Sequence, residues 1–198
     1  MGRPDFQPQQ LILGSASPRR RSLLASMGLE FEVRTQDADE TYSDKLKTYQ
    51  ITDYLSRLKA KVLLPALPEK AVLLTADTIV CLGDEVLEKP GDREEAAEML
   101  GRLSGRWHEV YTSVCLSTHT FQDVFHAATG VRFARLDPAM IREYLDRGNP
   151  MDKAGAYGIQ EWIGLAGVAE LRGSYTNVVG LPTNLVFEKL RDMVRRGF

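Results

Sequence analysis

The chain has 198 residues, 43% hydrophobic and 26% charged, which suits a soluble globular domain, or two lobes sharing a cleft, with a sizeable core. Its 25 Lys and Arg against 27 Asp and Glu give a net charge of −2, which excludes wholesale electrostatic binding of nucleic acid but not a local basic site. Cys81 and Cys115 both lie in apolar runs, with no CxxC or Cys/His cluster, so the sequence argues against structural zinc and for two reduced core residues in a cytoplasmic setting.

Residues 1–10 are polar with two prolines and lack the apolar core of a signal peptide, so they read as an extension before a single domain over 11–198. No apolar stretch approaches the length of a membrane span. Residues 11–14 predict a buried strand, punctuated by 15–18, and Leu23, Leu24 and Met27 then recur at helical spacing up to Gly28. Residues 31–35 alternate as a second strand, and 37–44 form an acidic loop. Ile51, Tyr54, Leu55, Leu58 and Val62 make an amphipathic helix, halted by Pro65 and Pro68. Ala71–Leu82 reads as a buried strand, turning at Gly83-Asp84 into a short return over Glu85–Leu87. Ala96, Ala97, Leu100 and Leu103 line a helix, and strands follow at 110–116 and 131–136. Pro138 opens another helix, 148–158 is turn-rich, and strands are expected at 168–171 and Tyr175–Val179 around Gly173. Pro182 starts a closing helix. Helices and strands interleave throughout, which predicts an α/β layered fold with a mixed sheet.

Several stretches carry chemistry. In Gly14-Ser15-Ala16-Ser17-Pro18-Arg19-Arg20-Arg21, Ser17 and Pro18 suit an N-cap and a first helical position. Three arginines in that first turn oppose the helix dipole, a cost of about 0.3–1 kcal/mol each that a bound anion would reverse. Phosphate binding and simple capping with solvated arginines both stand as readings, and no Walker A pattern is present. Asp77, in Thr75-Ala76-Asp77-Thr78, interrupts an otherwise apolar strand. It is either a structural acid satisfied by hydrogen bonds or a metal ligand or general base. Lys59 and Lys89, taken singly, read as solvated lysines, and Asp37, Asp39 and Glu40 as a solvated loop that becomes a source of hard oxygen ligands if folded against Asp77. The run from Asp152 to Gln160 is rich in small residues, so backbone can approach a ligand closely, and the Gln160 amide carries both a donor and an acceptor. No HExxH or GxSxG pattern occurs.

Together these residues resemble the Maf family of nucleoside triphosphate pyrophosphatases, over nearly the whole chain. The markers are Ser15-x-Ser17-Pro18-Arg19-Arg20, Lys59-Ala60-Lys61, Ala76-Asp77-Thr78, the run from Gly83 to Pro90, the run from Asp152 to Gln160, and Gly173-Ser174-Tyr175 with Gly180-Leu181-Pro182. The stretch ending in Gln160 is similar to the subgroup acting on dTTP and UTP. The resemblance implies cleavage between the α and β phosphates, a divalent Mg²⁺ or Mn²⁺, an inosine triphosphatase-like mixed, twisted sheet flanked by helices in two lobes around a cleft, and in many members a homodimer. It also implies a link to septum formation and to removal of modified nucleotides. By position it implies catalytic roles for Asp77 and Lys89, substrate binding by Ser15, Arg19, Arg20, Lys59, Thr78 and Gln160, and metal binding by Glu40 and Asp77. This sequence departs from the family pattern in following Gln160 with Glu161-Trp162 rather than glycine. The reading from a different class is a non-catalytic nucleotide- or nucleic-acid-binding regulator of cell division, which would need positive charge but not the added carboxylate of Asp77.

Overall fold

Among the described residues, seven strands and seven α-helices interleave along the chain. The strands are β1 (Gln10–Leu13), β2 (Glu32–Val33), β3 (Ala71–Leu82), β4 (Glu85–Leu87), β5 (Trp107–Ser117), β6 (Gln122–Phe133) and β7 (Val168–Arg172). The helices are α1 (Pro18–Ser26), α2 (Tyr49–Leu63), α3 (Arg93–Leu103), α4 (Pro138–Arg147), α5 (Trp162–Gly167), α6 (Tyr175–Val179) and α7 (Thr183–Arg195). This computed structural model describes residues 5–198, so the first four residues of the expected polar extension lie outside the described residues. Hydrogen bonding orders the strands β2-β1-β3-β5-β6-β7, with β4 on β3. β1 runs parallel to β2 and β3, whereas β3–β4 and β6–β7 are antiparallel, so the sheet is mixed as expected.

The chain divides into two compact units. The first ends its opening segment at Asp77 and adds Thr112–Ala127 and Gly180–Phe198. The second is Thr78–Tyr111 with Ala128–Val179. In the first unit, β3 explains why its sequence is almost continuously apolar. Val72, Leu74 and Ala76 join a core with Leu24 of α1 and Val186 and Leu190 of α7, while Ala71 and Leu73 join another with Ala60 of α2. A strand covered by helices on both faces has no solvent side to mark with polar residues. The start of the described chain is tied down as well. The Gln7 amide donates to Glu30 O and accepts from Glu30 N, both at 2.9 Å, in the manner of a strand pair. Phe6 packs edge-on against Phe187, with ring centres 4.7 Å apart.

In the second unit, the β3–β4 hairpin turns at Gly83 with φ +65°, as Gly83-Asp84 suggests. Two expectations need correction. Tyr175–Val179 is the short helix α6, not a strand. Ser174 Oγ accepts the Asn177 N–H at 3.3 Å, and the buried Asn177 amide donates to Val110 O at 3.0 Å and Thr129 Oγ1 at 2.9 Å. These bonds outweigh the strand preference of Tyr, Thr and Val. The strand expected at 131–136 begins instead at Gln122 and stops at Phe133, because most of its first half is only partly buried and lacks an alternating apolar signal. Helix α5 was not anticipated. Its Gly164 packs so closely that a Cβ there would lie 1.9 Å from Ile159 O.

Candidate active site

The loop after β1 is pinned to β3 at its first residue. Gly14 N donates to Leu74 O at 2.8 Å, and a Cβ on Gly14 would lie 2.6 Å from Thr75 Cγ2 and 2.7 Å from Leu63 Cδ1. Only glycine allows the loop to turn this close to the strand. Ser17 then caps α1 by accepting the Arg20 N–H, with Pro18 in the first turn. This sets Arg20 facing back along the loop. Its guanidinium donates to Ser15 Oγ at 3.1 Å, to Ala76 O at 2.9 Å and to Gly180 O at 2.9 Å. Burial lowers the Arg20 pKa from its ordinary value, Asp77 and Glu40 oppose that shift, and Arg19 adds to it. The side chain stays cationic.

A second set of contacts places Lys59. Thr75 Oγ1 donates to Ser56 O at 2.7 Å and so fixes the register of α2 on β3. Three residues beyond Ser56 is about one helical turn, and two beyond Thr75 is the same strand face. Lys59 and Asp77 therefore meet, with Nζ 2.6 Å from Asp77 Oδ1 and 3.1 Å from Glu40 Oε2. The Asp77 side chain is 11% exposed, Lys59 19% and Glu40 53%. The buried acid is thus paired, as the cost of an isolated buried charge requires. Ser15, Arg20, Lys59, Asp77 and Glu40 are gathered in the first unit, joined through Ala76 and Asp77 on adjacent positions of β3. Arg19 is half-buried beside Arg20 on α1.

Of the remaining expected site residues, half-buried Thr78 follows Asp77 on β3, while Lys89 and Gln160 are exposed; all three belong to the second unit. Around Gln160 the chain is closely fitted. Gly155 has φ +67° and a Cβ there would crowd Val80 at 3.0 Å; its N–H donates to Glu88 O at 3.1 Å. Sequence reasoning missed the group supporting this stretch. Lys153 is 5% exposed and donates to Asn149 O, to Asp152 Oδ1 at 2.6 Å and to Glu161 Oε1 at 2.9 Å. Tyr157 Oη lies 2.7 Å from His108 Nε2, and burial holds His108 down to about 4. A lysine and a tyrosine among small residues give no signal that they are buried and paired. Cys81 and Cys115 are free and buried, as expected, and burial raises both thiol pKa values.

Among the described residues no three His, Cys, Asp or Glu side chains gather as a metal cage. Glu40 and Asp77 nevertheless direct two hard oxygens at one cation, the Lys59 ammonium. One or two carboxylates completed by substrate phosphates is a common way to hold Mg²⁺, so these residues fit such an ion. No helix among the described residues is long and apolar enough to cross a membrane.

Comparison with solved structures defines the class of fold first. The chain matches the Staphylococcus aureus Ham1 protein with a TM-score of 0.54, over 93% of this chain and 100% of that one, at 14% identity. It shares with that protein a mixed sheet flanked by helices. The chain belongs to the Maf family: the family model described as Maf-like protein matches residues 10–193. Similar proteins include the dTTP/UTP pyrophosphatase of Flavobacterium psychrophilum, 46% identical over 187 residues, covering 94% of this chain and 96% of the relative. The dTTP/UTP pyrophosphatase of Bacteroides thetaiotaomicron is 46% identical over 185 residues, covering 93% and 96%.

Proposed function

We propose that this chain hydrolyses dTTP and UTP, and modified pyrimidine nucleotides of the same shape, to the nucleoside monophosphate and pyrophosphate. The observation that supports this best is the Lys59 ammonium held between Asp77 and Glu40, in the same unit as the Ser15–Arg20 loop. The relatives' activity points the same way.

In this reading, water attacks the α-phosphorus in line, the bond from that phosphorus to the α–β bridging oxygen breaks, and pyrophosphate leaves. Placement and charge stabilisation supply most of the effect. Arg19 and Arg20, with Lys59 and Lys89, offset the triphosphate charge, and the Ser15 hydroxyl adds a donor. Lys59 spends two N–H groups on Asp77 and Glu40, which leaves one for a phosphate oxygen. Phosphate competing for Lys59 loosens its hold on Asp77, whose carboxylate then takes the proton of the attacking water. Glu40 and Asp77 would hold a divalent Mg²⁺ or Mn²⁺, which when bound supplies further positive charge. Gln160 and Thr78 read the base, with residues 11–198 acting as one functional domain. A cytoplasmic setting, a homodimer, a place in septum formation and the absence of a nucleic-acid surface belong to the same reading. Buried free thiols support the first, and the net charge of −2 the last.

The test is a panel of nucleoside triphosphates, including modified pyrimidines, with Mg²⁺ or Mn²⁺, scored for pyrophosphate. Release from dTTP and UTP above other bases is expected. No turnover of any pyrimidine triphosphate by folded protein with metal present would overturn the proposal in favour of a binding protein.

A further inference from the structure

The stretch carrying Gln160 ends in a residue that the proposed reaction does not use. Glu161 has a side chain 27% exposed, and both its oxygens are engaged. Tyr144 of α4 donates its hydroxyl to Oε2 at 2.5 Å, and Lys153 Nζ lies 2.9 Å from Oε1. The Tyr144 hydroxyl oxygen also accepts the Gly158 N–H at 3.3 Å, and Glu161 N–H donates to Gly158 O at 3.0 Å. One carboxylate therefore ties α4 and a buried lysine to the end of the turn at 158–161, and the Tyr144 hydroxyl reaches the start of that turn. Burial and the bond to Glu161 raise the Tyr144 hydroxyl pKa, so it remains a donor.

Gln160 is exposed in the middle of this turn. A Cβ built on Gly158 would lie 2.9 Å from Gln160 Nε2 and 3.0 Å from Glu161 Oε1. The amide and the carboxylate thus converge over the same glycine, with the NH₂ end of the amide on that side. A primary amide left to itself turns end for end, so its direction must come from its neighbours. The Glu161 carboxylate beside it favours the NH₂ end nearby and the carbonyl turned away from Gly158. A carbonyl so presented accepts a hydrogen bond from a pyrimidine N3–H. Thymine and uracil have that group, whereas cytosine offers a lone pair there and meets the carbonyl acceptor to acceptor.

We propose that Glu161 is a positioning residue that, with Tyr144 and Lys153, fixes the Gln160 amide and so enforces selection of pyrimidines bearing an N3–H. This rests on the substrate reading given above. The test compares pyrophosphate release from UTP and CTP, with Mg²⁺, by the full chain and its Glu161→Gln, Glu161→Ala, Glu161→Asp and Tyr144→Phe variants, each checked by thermal melting. Glu161→Gln keeps size and removes charge, so it controls for misfolding. It is expected to raise the CTP:UTP ratio of kcat/KM about tenfold, through a higher KM for UTP with kcat nearly held, the scale of one oriented hydrogen bond. Glu161→Ala and Tyr144→Phe should move the ratio the same way, and Glu161→Asp should recover part of the discrimination. An unchanged ratio in folded variants of a discriminating wild type would overturn the role of Glu161 alone. A wild type that releases no pyrophosphate from UTP overturns the substrate reading and base selection with it.

Discussion

Two lysines show how differently the two units use charge. Lys59 and Lys153 each lie between two carboxylates, Glu40 and Asp77 for the first and Asp152 and Glu161 for the second. Lys153 is 5% exposed and spends its third N–H on Asn149 O, so all its donors are committed. Lys59 is 19% exposed, leans on a mobile-length glutamate that is 53% exposed, and keeps one donor uncommitted. The first arrangement suits a cation that exchanges partners when an anion arrives. The second suits a fixed strut beneath Gln160. The same three residue types serve exchange in one place and rigidity in the other, and the third acceptor decides which.

The largest expected effect tests the exchangeable end. Asp77→Asn should leave the fold intact, because Lys59 retains Glu40, and lower turnover about a thousandfold, the scale of a lost general base. Near-normal pyrophosphate release by that variant would make Asp77 purely structural. Substituting the lysines themselves then separates the two arrangements. Lys59→Met should lower turnover about a hundredfold, as loss of a charged transition-state donor does. Lys153→Met takes the buried cation away from Glu161 and Asp152 and should cost about 3 kcal/mol of stability, read from the urea midpoint, with a smaller loss of kcat. If Lys59→Met lost mainly stability and Lys153→Met mainly kcat, the contrast drawn between them would be reversed.

Much of the first unit was legible because its signals are local. Ser17 and Pro18 announce a helix start that the structure bears out, and the apolar run of Ala71–Leu82, broken by Asp77, marks a strand with a charged group in it. The residue types of the site were legible too, but not the contact between Lys59 and Asp77. It depends on register, which Thr75 sets through a hydrogen bond to the backbone of Ser56. In the second unit the decisive bonds are non-local. The bond from Asn177 to Val110 turns a strand-like sequence into helix, and nothing local in the sequence marks Lys153 as buried beside Glu161. Glu161 registered in the sequence only as a departure from the family pattern.

Acid should weaken the second unit's interior. His108 is 2% exposed, its Nδ1 has no hydrogen-bond partner, and burial holds it down to about 4, against about 6.5 when unfolded. Between those values the unfolded chain binds a proton that the folded chain refuses. This contribution is therefore present above about pH 6.5 and is lost as pH falls toward 4, amounting to up to about 3 kcal/mol. His108→Phe removes the titration while filling the space between Phe133 and Tyr157. Its urea midpoint should fall less between pH 7 and pH 4.5 than that of the wild type. An equal fall in both proteins would place the acid sensitivity elsewhere.

The smallest effect bears most directly on the division of labour between phosphate and base. Gln160→Glu keeps an acceptor but loses the NH₂ that faces Glu161, so repulsion turns its head away from the position that meets the N3–H, and it sets a third carboxylate beside Asp152 and Glu161. If Gln160 reads the base, the variant loses UTP turnover by about tenfold, the scale of one hydrogen bond to an oriented partner. Inhibition by pyrophosphate should change far less, because that product lacks a base and, on the proposed reading, would engage only the charges around Lys59. The added negative charge also repels every nucleotide, but that repulsion acts on pyrophosphate as well and is screened as salt rises. Loss confined to UTP and dTTP and persisting at 0.5 M salt would therefore locate base reading at Gln160. An equal loss for all nucleotides and for pyrophosphate, relieved by salt, would reduce the residue to part of the general field and leave Lys59 and its carboxylates as the only specific feature.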